Sequence, residues 1–155
     1  MRIRSCIIAA IIAFNSDIAH ATSLPDDAVV LSGRWVGAML HQCSRETPAI
    51  GESNWQPTVD DILALESILQ KALTAQAAKN DPDWSAVPNG WKRQYVGLVV
   101  GDRRLIYGNF FPANVDARKW RAQPFVVCDG GPQFFGVVYD VADHRIINLA
   151  FNGEA

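Results

Sequence analysis

Between Pro57 and Asn80 the apolar positions recur every three or four residues. Ile62, Leu65, Leu69 and Leu73 form one stripe, and Ile68 and Ala72 widen it. That period predicts an amphipathic helix of about 20 residues. Its start is written in Pro57-Thr58-Val59-Asp60-Asp61. Thr58 is suited to the N-cap, the two acids complement the positive end of the helix dipole, and Asp61 at the third helical position completes a capping box in which Glu or Gln would be more usual. The Ala-rich run from Ala72 to Ala78 extends the helix until Asn80-Asp81-Pro82 stops it. Because only one side is apolar, the stripe is expected to face a core.

After Trp91 the period shortens to that of strands. Tyr95-Val96-Gly97-Leu98-Val99-Val100 and Arg103-Arg104-Leu105-Ile106-Tyr107 flank Gly101-Asp102, a two-residue loop with Gly first, which fits a type II′ hairpin. Counting across it pairs Val100 with Arg103, Leu98 with Leu105 and Val96 with Tyr107. Both faces are apolar away from the tip, so this hairpin is expected to be central. Phe125-Val126-Val127-Cys128 reads as a further strand running into the turn Asp129-Gly130-Gly131-Pro132. Phe134 to Tyr139 and Arg145 to Phe151 read as a second hairpin around Asp140-Val141-Ala142-Asp143-His144. In the Pro-rich lead-in, residues 22–57, the stretch Val29 to Leu40 is apolar but too short to separate helix from strand. The expected fold is therefore α+β, with one long amphipathic helix packed on a four- to five-stranded antiparallel meander. In the order of its elements, residues 58–152 resemble the small exported α+β modules of the cystatin-like or PepSY-like kind. No motif specific to either is present, so no functional residue is carried over from them.

The first 21 residues change how the rest is counted. Arg2 and Arg4 precede an apolar run from Cys6 to Phe14, and Ala19-His20-Ala21 offers a small-x-small cleavage site before Thr22. Those are the parts of a secretory signal peptide, and the apolar run falls short of the roughly 20 residues that span a bilayer. Residues 1–21 are thus expected to be a signal peptide and 22–155 one α+β domain, exported to the periplasm or secreted. Removing the signal leaves 12 Lys+Arg against 15 Asp+Glu, a net charge of −3. With no basic face, nucleic acid is not an expected partner. With no second long apolar stretch, neither is a membrane once the signal is gone. Arg118-Lys119-Trp120-Arg121 is the nearest thing to a basic cluster and reads as a solvated loop.

Cleavage also removes Cys6 and leaves Cys43 and Cys128. An even count in an oxidising compartment reads as a disulfide, and closing a loop of about 85 residues is worth about 4–5 kcal/mol in the chain-entropy model. A Cys43–His41 nucleophile–base pair is the competing reading. Metal spacings such as H-E-x-x-H or C-x-x-C are absent, as are a G-x-S-x-G elbow and a phosphate-binding glycine loop followed by a helix. The acids Asp129 and Asp140 read as opposite ends of one strand, too far apart to cooperate. No catalytic residue, metal site or cofactor is assigned.

What remains is aromatic content: five Trp, three Tyr and six Phe after the signal. Adjacent pairs such as Phe110-Phe111 point to opposite faces of a strand, so either both faces of the sheet are covered or one presents an apolar patch. Tyr107, Asn109, Phe110, Phe111, Trp120, Asp129 and Asn152 form the candidate binding surface. The expected function is an exported, non-enzymatic module that binds a protein or an envelope component, in the manner of an inhibitor or immunity protein. A secreted or periplasmic hydrolase, with His41 or His144 and two carboxylates in a pocket, is the first alternative. A structural component of an envelope assembly, marked by a long exposed edge strand, is the second.

Overall fold

A computed structural model of the chain describes residues 23–76 and 83–154. The expected signal peptide and the Asn80-Asp81-Pro82 helix stop lie outside the described residues. Six strands form one sheet: β1 (Ala28–Val30), β2 (Ser53–Trp55), β3 (Trp91–Val100), β4 (Arg103–Pro112), β5 (Phe135–Asp140) and β6 (Arg145–Phe151). The last four are an antiparallel meander in the order of the chain. A 3-10 turn at Gly33–Trp35 runs into α1 (Val36–Leu40), and the long helix is α2 (Val59–Gln76).

The β3–β4 hairpin has the register counted from the sequence: Val100 opposite Arg103, Leu98 opposite Leu105, Val96 opposite Tyr107. Gly101 supplies the positive φ of 62° that the first position of a type II′ turn requires. At the start of α2, Thr58 and Asp61 close the capping box reciprocally. The backbone N–H of Thr58 donates to Asp61 Oδ2 at 2.9 Å, and the N–H of Asp61 donates to Thr58 Oγ1 at 3.3 Å. Ile62, Leu65, Leu69 and Leu73 are fully buried on the sheet, each contributing about 1.5–3 kcal/mol. They meet Tyr95, Ile106, Phe110, Phe135, Val137 and Tyr139.

Two expectations are corrected and one open reading is resolved. The sheet is mixed and six-stranded rather than a four- to five-stranded antiparallel meander, because β1 and β2 share the outer edge of β3. β1 pairs in parallel along Arg93–Tyr95 and β2 antiparallel along Gly97–Val99. At three residues each, these strands are too short to show a period. The apolar stretch Val29 to Leu40 is both strand and helix, divided at the turn, and Val36, Met39 and Leu40 bury the face expected of a helix. Phe125–Cys128 is not a strand; it belongs to an irregular connection of 22 residues, 113–134, between β4 and β5.

Both faces of the sheet are covered. α2 lies on one. On the other, α1 packs on Val96, Leu98, Leu105, Tyr107 and Val138, and the 113–134 connection packs beside it on Phe111. Phe110 and Phe111 accordingly enter two different clusters. On the α2 side, buried Arg93 pairs at 2.6 Å with Asp27 and at 2.6 Å with Glu66, and the Tyr95 hydroxyl donates to the same Glu66 oxygen at 2.6 Å. Burial, then the Glu66 carboxylate, hold the Tyr95 phenol well above its ordinary value.

Candidate functional site

One row of the register, two of whose four residues are amides, crosses the face of the sheet opposite α2. The register places Gln94 of β3 beside Asn109 of β4, Gly136 of β5 and Ala150 of β6. Gln94 and Asn109 are buried, as is Asn152 just past β6. Buried amides must find partners, and these find theirs in the 113–134 connection. Gln94 Nε2 donates to the carbonyls of Trp120 and Gln123, and its oxygen accepts from the N–H of Phe125 at 2.8 Å. Asn109 donates to the Phe125 carbonyl at 2.8 Å. Asn152 donates to the carbonyls of Val127 and Asp129, both at 2.8 Å.

Arg45 completes this network from the lead-in segment. Its guanidinium donates to the Tyr107 hydroxyl at 3.0 and 3.1 Å and to the side-chain oxygens of Asn109 and Asn152. Gly136 makes the room: a Cβ there would lie 2.6 Å from the Tyr107 hydroxyl and 2.9 Å from Arg45 Nε. Burial raises the Tyr107 phenol above its ordinary value, and the Arg45 charge opposes that rise. The Cys43–Cys128 disulfide closes the arrangement two residues from Arg45, with Cα atoms 5.2 Å apart. Ser44 Oγ accepts from the N–H of Asp129 at 3.0 Å. Lys92 and Trp91 side chains donate to the carbonyls of Val115 and Gln133, near the two ends of the connection.

Most of the sequence-predicted site residues thus lie inside the protein. Tyr107, Asn109, Phe110, Phe111 and Asn152 are buried. They do not form a surface; Tyr107, Asn109 and Asn152 form the network that holds one. Trp120 and Asp129 lie half-buried on the connection. Arg45 and Gln94, which organise the network, carry no sequence signal beyond being polar residues in otherwise unremarked stretches.

What is held is a hollow of about 300 Å³ on the outer side of the connection, lined by Ala117, Arg118, Lys119, Trp120, Gln123, Pro124 and Phe125. Trp120 and Phe125 pack on Phe111 with ring centroids 6.2 and 4.4 Å away. The Arg121 guanidinium lies 4.7 Å from the Trp120 ring and donates to the Asp26 carbonyl. Among the described residues Arg118 has one weak partner, Asp116, at 3.5 Å with both side chains largely exposed. Lys119 makes no ion pair or side-chain hydrogen bond among the described residues. The cluster read as a solvated loop therefore has wet cations and a Trp docked on the core.

A second concavity, about 430 Å³, lies between the tips of the two hairpins and includes Asp102, Arg103, Arg104 and His144. Asp102 is the acid that lines it, and two further acids beside it serve the local structure. Asp140, fully buried, accepts from the N–H groups of Ala142 and Asp143 at 3.0 and 3.1 Å and ion-pairs with Arg103. Asp143 bridges Arg103 and Arg145. His144 Nδ1 lies 3.0 Å from the Tyr139 hydroxyl, and His41 does not line this cleft. Asp129 and Asp140 are not two ends of one strand, since Asp129 sits in the connection. Along β6, Asn148 opposes Val138 and Ile146 opposes Tyr139, leaving Ile147 as an extra residue; such a bulge blunts an edge strand against further pairing. Among the described residues no three His, Cys, Asp or Glu side chains cluster in a way suited to a metal, and no helix is long and apolar enough to cross a membrane.

The chain matches no family model, no curated protein and no solved structure.

Proposed function

We propose that this protein is an exported, non-enzymatic binding module, acting in the periplasm or outside the cell, and that the 113–134 connection is its binding surface. The observation that carries the reading is the way this connection is fixed. Irregular connections longer than about 12–15 residues are usually either functional or mobile. This one is tied by three buried amides, a disulfide and its own small apolar cluster. A surface fixed this firmly by a scaffold is what recognition needs, because little ordering entropy is left to lose on binding. The disulfide supports an oxidising compartment. Asp140 and Asp143, beside the hairpin-tip cleft, are committed to Arg103 and Arg145, which weighs against their use in acid–base work, since a carboxylate committed to an arginine is poorly placed to exchange protons.

The test is a photocrosslinking benzophenone amino acid at position 116, beside the hollow, compared with one at position 71 on the exposed side of α2. Expressed with its leader, the protein should give discrete adducts from 116 and none from 71. Equal labelling from both positions, or stronger labelling from 71, overturns the assignment.

A further inference from the structure

The hollow on the 113–134 connection combines three kinds of group within one small space, and together they define a ligand. Arg118 and Lys119 are exposed cations, the first only weakly paired and the second with no partner among the described residues. Among the described residues no carboxylate lines the hollow, Asp116 standing beside it on Arg118. Trp120 and Phe125 give it an aromatic wall braced by Phe111. Gln123, an exposed residue of the lining, brings an amide that can both donate and accept, while its backbone is held by Gln94 at 2.8 Å.

Size narrows the choice. A globular protein partner ordinarily needs about 800 Å² of surface on each side, centred on apolar anchors. Among the described residues of the connection, Val126 is the one large hydrophobic side chain that stands exposed. A hollow of about 300 Å³ falls at the small end of ligand sites, which run from about 300 to 1,000 Å³. From these features we infer that the hollow takes a single carboxylated sugar ring of an acidic glycan. The carbon–hydrogen face of the ring, weakly positive, lies on the negative face of the aromatic wall. Ring hydroxyls exchange hydrogen bonds with Gln123, and the carboxylate meets Arg118 and Lys119, where guanidinium geometry suits it. A flexible acidic peptide offers the charge without the ring and loses more side-chain freedom on binding. The inference rests on the connection being the binding surface and names what that surface holds.

Calorimetric titration of the disulfide-bonded protein tests it, with tetragalacturonate as the probe and galacturonate, maltotetraose and tetraglutamate as comparisons. Tetragalacturonate should bind, and galacturonate alone should bind with an affinity showing that one ring fills the hollow. Maltotetraose, which lacks the carboxylate, and tetraglutamate, which lacks the ring, should each bind about tenfold or more weakly. Arg118→Ala and Lys119→Ala should each weaken tetragalacturonate about three- to fivefold, and Gln123→Ala should do likewise while leaving the unfolding midpoint unchanged. Trp120→Leu, checked for retained fold by hydrogen exchange, should weaken it about tenfold or more. Tetraglutamate binding as tightly as tetragalacturonate overturns the inference, as does the absence of binding at millimolar sugar acid. Adducts from position 116 alongside absent sugar binding would remove this ligand and leave the binding surface in place; equal or stronger labelling from 71 would remove the surface as well.

Discussion

Arg45 donates a hydrogen bond to the side-chain oxygen of Asn152, 107 positions further along the chain. The nitrogen of the same Asn152 amide donates to the carbonyls of Val127 and Asp129, the two residues that flank Cys128. One buried side chain therefore couples the lead-in segment to the 113–134 connection, and its donor and acceptor atoms are both committed. Asn152→Ala leaves a guanidinium donor and two carbonyls without their partner and should cost about 2–4 kcal/mol. Asn152→Asp keeps an acceptor for Arg45 but turns an oxygen toward those carbonyls, so it should also destabilise. Urea unfolding reads the loss, and hydrogen exchange at residues 123–130 should rise more than exchange in β3 and β4. Uniform loss of protection would show that Asn152 supports the whole fold rather than the connection.

The Cys43–Cys128 bond and the Asn152 amide hold the same few residues by independent means. Replacing both cysteines with Ala should cost about 2–4 kcal/mol, yet the connection should stay docked, because Ser44, Asn152 and Gln94 still grip its backbone. When either restraint is missing the other must do more. Combining the cysteine changes with Asn152→Ala should therefore cost more than the two effects added, with a coupling of about 0.5–3 kcal/mol. Additive effects would mean that the two hold separate segments.

The parts of this fold legible in the sequence are those whose signal is local. The α2 stripe and its Thr58–Asp61 cap follow from helical spacing, and the β3–β4 register follows from a two-residue turn. The Cys43–Cys128 pairing follows from counting cysteines left after the expected signal. β1 and β2 escaped because each is three residues long and is made a strand only by the edge of β3. Phe125–Cys128 has the composition of a strand, but Gln94, Asn109 and Asn152 hold its backbone groups in place of a neighbouring strand. The same three-dimensional fact explains the site. Asn109 and Asn152 are each next to a Phe in the sequence, which is equally the signature of an exposed anchor and of an internal one. Which it is depends on Arg45 arriving from another part of the chain, and no spacing encodes that.

Glu66 holds both Arg93 and the Tyr95 hydroxyl on the buried side of α2. Glu66→Gln keeps an acceptor and removes the charge, whereas Glu66→Leu removes both and leaves buried Arg93 with Asp27 as its ion-pair partner. Removing one member of a buried pair costs about 3–5 kcal/mol, so Glu66→Leu should lie in that range and Glu66→Gln well below it. Guanidinium unfolding of both variants provides the comparison. Equal losses would place the stabilisation in shape rather than in charge, and an unchanged Glu66→Leu would mean that Asp27 and the carbonyls of Pro88 and Trp91 suffice for Arg93.

Alkaline pH should unfold this protein through its tyrosines. Burial lifts the phenols of Tyr95, Tyr107 and Tyr139 above their ordinary value, with Glu66 adding to the rise at Tyr95 and Arg45 opposing it at Tyr107. In an unfolded chain these groups ionise near pH 10. Below that pH both states keep the protons, and the burial of neutral phenols contributes in full. Above it the unfolded chain releases protons that the folded one retains, so stability falls as pH rises, by up to about 1.4 kcal/mol per pH unit for each such group. The denaturant midpoint should stay level from about pH 7 to 9 and drop from about pH 10 upward. Tyr95→Phe should flatten that drop more than Tyr107→Phe, because a Tyr95 phenolate would face a carboxylate and a Tyr107 phenolate would face a guanidinium. The comparison is made between slopes, so the hydrogen bond each variant loses at neutral pH does not enter it. A midpoint that held level to pH 12 would show that all three hydroxyls ionise as freely as in the unfolded chain, and the tight packing of Tyr95 between Glu66 and Phe110 would then have to give way without opening the fold.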